Sequence, residues 1–182
     1  MKELSLHILD VAENGISAAA DQIEIEVIED RRQNRLTLVI ADNGRGIPRD
    51  QIDRAVDPFY TSRTTRRVGM GLSLLNAAAR QCGGHMWIDA EEGKGTRITA
   101  EFVYDHIDRA PVGDMAGTMI SLIMGSPEVE FEYRHEVDGR QFVLSTREIK
   151  AALSGRPVTD PAVFQYIMEM LRTGENRLTK GG

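Results

Sequence analysis

Two short segments with strict period-two alternation constrain this chain most. Ile23, Ile25 and Val27 interleave with Glu24 and Glu26, and Leu36, Leu38 and Ile40 interleave with Thr37 and Val39. Such alternation gives a strand one apolar and one polar face, so the two segments read as neighbouring strands joined by the polar turn Asp30 to Asn34. The second strand runs straight into Asp42-Asn43-Gly44-Arg45-Gly46-Ile47, a loop with two glycines, and a short helix is expected from about Pro48.

Leu4, Ile8, Val11 and Ala12 recur at helical spacing ahead of the strands, in a proline-free stretch from about Glu3 to Ala19. His7, Asp10, Asn14 and Ser17 follow at intervals that stack them along one polar stripe of that helix. Glu13 points roughly 100° away from Asn14, because one residue is about a quarter turn. Further on, Asp57-Pro58-Phe59-Tyr60 precedes a basic loop, Thr61 to Arg67, that carries Arg63, Arg66 and Arg67 and no acid. Gly69-Met70-Gly71-Leu72 then opens a helix with an apolar stripe of Leu72, Leu75, Ala79 and Cys82, which Gly83-Gly84 ends. A third strand (Met86, Ile88, Ala90), the turn Gly93-Lys94-Gly95 and a fourth strand (Ile98, Ala100, Phe102) follow. After Asp105 the pattern predicts a link through Pro111, a helix near 114–124 and a hairpin from Val129, Phe131 and Tyr133 through Asp138-Gly139 to Phe142 and Leu144. Two more helices are predicted near 146–153 and 160–171.

The composition, 41% apolar and 27% charged with a net charge of −6 over 182 residues, is that of a soluble globular chain. The acidic excess is spread along it, so no nucleic-acid-binding arm is expected. Uninterrupted apolar runs reach about four residues, too few for a membrane span or a signal peptide. Cys82 is the only cysteine, which leaves no intrachain disulfide and no cysteine cluster for zinc, and a reducing cytoplasm is the expected compartment. Arginine outnumbers lysine 18 to 4, and three of the arginines fall within the basic loop.

Neither G-x-x-x-x-G-K-[ST] nor G-x-G-x-x-G is completed anywhere, so the chain is no obvious P-loop protein or Rossmann dehydrogenase. What it holds is four separate signals in a fixed order: Asp10 to Asn14, Asp42 to Ile47, Gly69 to Leu72, and Gly93 to Thr96. This set resembles the nucleotide-binding domain shared by DNA gyrase, the ninety-kilodalton heat-shock chaperones, histidine kinases and mismatch-repair MutL, the GHKL superfamily. The four signals are similar to its N box, first glycine box, second glycine box and last glycine turn. Asp57 to Tyr60 looks like the phenylalanine box of histidine kinases, and Glu13 to Ala18 looks closer to MutL. The resemblance covers residues 1–104. It implies an α+β, Bergerat-type two-layer sandwich with a mostly antiparallel mixed sheet. Residues 105–182 are expected to form a small α+β extension that binds a partner, makes a homodimer, or continues the first sheet.

The resemblance also implies ATP with magnesium as the cofactor. Asn14 would offer its side-chain oxygen to the magnesium ion, though taken alone it reads rather as a solvated helix residue. Asp42 would accept from the adenine amino group, or it is a turn-forming Asp. Gly44 and Gly46 let backbone pass close to the base, Ile47 closes that box, and Thr96 would reach adenine directly or through a water. Gly69, Met70, Gly71 and Leu72 would present helix-terminal N–H groups to phosphate. Phe59, Arg63, Arg66 and Arg67 would belong to the ATP lid, the arginines offering planar forks to phosphate oxygens.

The gyrase and MutL branches carry Glu four residues before the magnesium Asn as general base, and many histidine kinases carry Asn there; this chain has Asp10, one methylene shorter than Glu. Slow hydrolysis and phosphoryl transfer to a serine or histidine of a partner protein, as in anti-sigma kinases, both follow from that pattern, and so does a non-catalytic module in which ATP is structural. His7, one turn before Asp10, would orient that carboxylate, approach the phosphates, or simply pack. The N box begins almost at Met1, so no phosphoacceptor hairpin is expected before it, and a self-phosphorylating membrane sensor is not the expected architecture.

Overall fold

The computed structural model describes residues 2–48, 51–52 and 70–179. Helix α1 (Leu4–Ser17) is followed by β1 (Gln22–Asp30) and β2 (Arg35–Asp42), then α2 (Met70–Gln81), β3 (His85–Glu91) and β4 (Gly95–Val103). The chain continues through α3 (Met115–Gly125), β5 (Glu130–Val137), β6 (Arg140–Ser145), α4 (Thr146–Ala152) and α5 (Pro161–Thr179). All six strands form one sheet in the order β3-β4-β2-β1-β5-β6. Every neighbouring pair is antiparallel except β1 and β5, which makes the sheet mixed and mostly antiparallel. The fold is the expected α+β sandwich.

Alternation decides which face the helices cover. Ile23, Ile25 and Val27 of β1, Leu36, Leu38 and Ile40 of β2, and Ile98, Ala100 and Phe102 of β4 are all buried on one face. They share a single core with Leu4, Ile8 and Val11 of α1, Leu72 and Leu75 of α2, Met119 and Ile123 of α3, and Ile167 and Leu171 of α5. Glu24, Glu26, Thr37 and Trp87 occupy the opposite face, where Trp87 is 51% exposed.

The segment after Asp105 continues the first sheet. Its hairpin joins β1 from the side opposite β2, in the register Ile23 to Phe131 and Ile25 to Tyr133. Parallel pairing requires a long crossover, which the link through Pro111 and α3 supplies. That link also finishes α1: the Pro111 and Val112 carbonyls accept from the Leu4 and Ser5 N–H groups at 2.9 and 2.8 Å, satisfying two orphan donors of the first turn. Helix α3 is capped by Asp114, whose carboxylate accepts from the Gly117 N–H at 2.8 Å.

Candidate functional site

The end of α1, the loop after β2 and the turn between β3 and β4 meet at one end of the strands because glycines let them approach. Gly15 lies in the interior of α1, where glycine costs about 1 kcal/mol against alanine. A Cβ there would sit 2.9 Å from the Asp42 Cβ, so the helix touches the end of β2 only at a residue without a side chain. A Cβ on Gly95 would fall 1.9 Å from the Asp42 carbonyl oxygen, and φ at Gly95 is +109°. Gly46 has φ +69° and its missing Cβ would lie 2.1 Å from the Glu91 carbonyl oxygen. These three contacts fix the loop between α1 and the glycine turn.

Hydrogen bonds finish the placement. The Arg45 N–H donates to the Ala18 carbonyl at 2.9 Å, and the Gly93 N–H donates to the Arg45 carbonyl at 2.8 Å. The Asn43 side-chain oxygen accepts from the Asp21 and Gln22 N–H groups, each at 3.0 Å, which ties the loop to the start of β1. Ile47 is half-buried against the edge of the core. Asp42 is thereby held with Oδ1 accepting from the Gly44 N–H at 2.9 Å, directly across the ladder from buried Thr96. Burial raises the Asp42 carboxyl above its ordinary pKa, and the backbone N–H groups of Gly44 and Thr96 pull it part of the way back. A desolvated acceptor at a strand end, walled by apolar strands, suits an amino group of a planar base.

The second group of site residues lies on α1 and the start of α2. Asp10 and Asn14 are half-buried on one stripe, and Glu13 is exposed away from it, as the helical spacing requires. Gly71 lies against both: its missing Cβ would be 3.1 Å from the Asp10 Cβ and 3.8 Å from Asn14 Nδ2. The start of α2 is therefore packed beside Asp10 and Asn14, the placement that phosphate binding at a helix N-terminus requires. Met70 opens that helix. Leu72 is 2% exposed in the core, so only its backbone is available to the site.

His7, on the same stripe, is enclosed by packing. It is 3% exposed, and its Nδ1 has no hydrogen-bond partner among the described residues. Burial lowers its pKa below the ordinary value, against the opposing pull of the Asp10 charge. Phe59, Arg63, Arg66, Arg67 and Gly69 lie outside the described residues.

Sequence reasoning missed Gly15 and Asn43. A glycine inside an otherwise regular helix was the available signal for the first; nothing in the sequence marks the hydrogen bonds of the second. A cleft of about 390 Å³ opens on the other face of the sheet, behind Asp42 and Thr96. Its walls are ion-paired, Arg97 with Glu24 at 3.2 Å and Lys94 with Glu91 at 2.7 Å, so charged side chains dominate it.

The sequence profile of the histidine kinase-, DNA gyrase B- and HSP90-like ATPases matches residues 2–106. The chain belongs to this family. Its matched residues form a GHKL-type ATP-binding domain that contains α1, β1 to β4 and α2. The sensor protein kinase WalK of Staphylococcus haemolyticus (strain JCSC1435) is 32% identical over 97 residues, which is 50% of this chain and 16% of that protein. The sensor kinase CckA of Brucella abortus (strain 2308) is 32% identical over 79 residues, 43% of this chain and 8% of that protein. The chain thus spans a small part of the length of these relatives.

In fold, the chain is similar to the Aquifex aeolicus MutL ATPase domain complexed with ADP, with a TM-score of 0.53 and 15% identity over 85% of this chain and 70% of that one. It is also similar to the N-terminal domain of a DNA repair protein, with a TM-score of 0.55 and 17% identity over 80% of this chain and 53% of that one. Both structural matches cover more of this chain than the matched residues 2–106.

Proposed function

We propose that this chain is a magnesium-dependent ATP-binding protein that regulates a partner protein through phosphoryl transfer to it, as histidine and anti-sigma kinases do, or through slow ATP hydrolysis. The observation that carries this reading is the convergence around Gly15. Asp42, Gly44 and Thr96 lie on one side of it, and Asp10, Asn14 and the Gly71 end of α2 on the other. One set has the chemistry to hold an adenine amino group, the other to hold polyphosphate and a cation. The residues fit ATP: a desolvated carboxylate for the base, a helix N-terminus for phosphate, and a neutral side-chain oxygen at Asn14 for magnesium. Magnesium would supply neutralisation of phosphate charge there.

In this reading Asp10 is the general base, placed on α1 to take the proton of an attacking water or hydroxyl. Gly44, Gly46 and Ile47 shape the base pocket. Gly69, Met70, Gly71 and Leu72 offer backbone to phosphate, and Arg63, Arg66 and Arg67, with Phe59, form the lid. Residues 105–182 bind the partner or a second copy of the chain. The exposed Val143 of edge strand β6 and Tyr166 of α5, 48% and 57% exposed, support a docking role for that part. Among the described residues no helix is long and apolar enough to cross a membrane, and the lone Cys82 supports a cytoplasmic location.

Asp10 also favours a second reading, in which the site is degenerate and ATP is structural, because its carboxylate reaches less far than a Glu would. Incubation with γ-labelled ATP and co-purified proteins separates these readings. Label on a protein marks a kinase, free labelled phosphate marks an ATPase, and bound but unconverted ATP marks the structural role. Asn14→Ala is expected to weaken magnesium-dependent ATP binding about tenfold and to leave magnesium-free ADP binding unchanged. Failure to bind any adenine nucleotide would end all three readings.

A further inference from the structure

The hairpin of β5 and β6 ends the sheet on an unguarded edge, and backbone bonds fix which groups it leaves open. The Glu130 and Asp138 N–H groups donate to the Asp21 and Glu29 carbonyls, so the even residues of β5 face β1 and the odd ones face β6. Their partners on β6 are Arg140, Phe142 and Leu144, which leaves the N–H and C=O groups of Gln141 and Val143 pointing out of the sheet. Native sheets blunt such edges with Pro, Lys, bulges or a cover. Strand β6 has no Pro or Lys, and its register with β5 runs unbroken from the Val137 and Arg140 pair to the Glu132 and Ser145 pair. Gln141 is exposed, and Val143 is 48% exposed.

Beside this edge lies a groove of about 350 Å³ between β6 and α5. Its floor is apolar: Phe142, Met170 and Leu178 line it, and Gly174 lets the Phe142 ring lie against the helix, where a Cβ would collide with it. Its other walls carry Arg140 and Arg177. Neither guanidinium has an acidic partner among the described residues, whereas Arg134 of the same hairpin is held by Glu26 and Glu136. Two uncompensated cations over an apolar floor, in a chain of net charge −6, complement carboxylates carried on an otherwise apolar segment.

We propose that β6 takes up an extended acidic segment of a partner protein as an additional strand of the sheet. The segment's backbone pairs with Gln141 and Val143. Its alternate side chains enter the groove, apolar ones over Phe142 and Met170 and carboxylates against Arg140 and Arg177. An edge strand beside a helix-walled groove suits such capture, because ladder bonds give affinity and the groove gives sequence preference. A second copy of the chain fits less well, since its own β6 brings Arg140 and no acid. The inference rests on the reading of residues 105–182 as the docking part, to which it adds a surface and a chemistry; it does not depend on the nucleotide.

The test uses the full chain and a fluorescent octapeptide blocked at both ends, with threonine at the odd positions and leucine, glutamate, leucine and glutamate at the even ones. Blocked ends restrict its carboxylates to side chains. Anisotropy is expected to show saturable binding, weakened at least about tenfold when glutamine replaces both glutamates, and equally in the double variant Arg140→Gln, Arg177→Gln. Amide hydrogen exchange gives a readout that needs no variant. The Gln141 and Val143 amides should exchange freely in the chain alone and at least about tenfold more slowly with the peptide, while the Phe142 amide is protected in both states. Absence of binding, equal binding of the glutamine peptide, full binding by the double variant, or binding without protection of Gln141 and Val143 overturns the proposal. Protection of those two amides in the chain alone that is lost on dilution also overturns it, by assigning the edge to a second copy. A natural partner that protects other amides of residues 105–182 would overturn this placement and leave the docking reading intact; one that protects none of them would end both.

Discussion

The two parts of this sheet bury polar groups for opposite purposes. In the part built from α1, β1 to β4 and α2, buried polarity is left incompletely satisfied. Asp42 is desolvated with a raised pKa where glycines bring elements into contact, and His7 Nδ1 has no hydrogen-bond partner among the described residues. In the part added by β5, β6 and the last helices, buried polarity is closed on itself. His135 bridges Glu29 at 3.0 Å and Glu175 at 2.8 Å, Tyr133 donates to Glu175 at 2.8 Å, and Thr146 accepts from the Phe131 N–H at 2.8 Å while donating to Glu130 at 2.9 Å. Closed networks fix elements in place, and open ones wait for a ligand. The His135 network links β1, β5 and α5, so it clamps the added part onto the nucleotide-binding part.

Glycines give the sharpest way to break this comparison. Gly95→Ala places a Cβ against the Asp42 carbonyl at φ +109°. It is expected to cost upward of about 4 kcal/mol and to abolish ADP binding. Gly139→Ala, at φ +83° in the β5–β6 turn with no atom within 4 Å of the added Cβ, should cost only about 1 kcal/mol. Urea unfolding of both variants checks the contrast, and equal losses would show that the close approach at Asp42 is not what holds the loop.

His135→Leu is expected to destabilise by about 3 kcal/mol, because it leaves Glu29 and Glu175 facing each other with no cation between them. ADP affinity should stay within about twofold, since the network is remote from Asp42 and Asn14. A large loss of affinity would mean that the two parts are coupled rather than merely fastened.

The same network gives stability a pH dependence. Burial alone would lower the His135 pKa, but its bonds to Glu175 and Glu29 raise it from 6.5 to about 9. Its contribution is therefore complete below pH 6.5 and is lost as pH rises through 9. Glu29 is shifted the other way: burial opposes its charge, but the His135 bond prevails and lowers its pKa from 4.5. Its contribution is present above pH 4.5 and is lost as pH falls. Unfolding free energy should thus be greatest between those limits and fall by about 2 kcal/mol toward pH 10, discounted from the full shift because Glu175 is partly exposed. His135→Gln should flatten the alkaline fall, and an unchanged fall would locate the titrating group elsewhere.

Local pattern carried most of the first part. Period-two alternation placed β1 to β4, and Asp138-Gly139, with φ +50° and +83°, turns the hairpin as the dipeptide suggested. The insertion of β5 beside β1 was not legible, because alternation says which face is apolar and not which strand lies next door. Helix α5 was expected to end near Leu171 but runs to Thr179 through Gly174. That glycine is an interior contact: its missing Cβ would be 2.3 Å from the Phe142 ring. The clamp did leave a trace, since Glu29 and His135 fall on the apolar phase of β1 and β5, in step with Val27 and Tyr133. At the site, spacing grouped Asp10 with Asn14 correctly, but the burial of His7 depends on tertiary packing that spacing does not describe.

The most direct measurement is a calorimetric titration of the full chain with ADP and magnesium, beside the same titration of Asp42→Ala. The expected result is one site per chain, weakened at least about a hundredfold in the variant, which removes half-buried Asp42, the acceptor proposed for the base. Absence of binding to the wild type, or equal affinity in Asp42→Ala, would contradict the placement of the nucleotide between α1, the loop after β2 and the glycine turn.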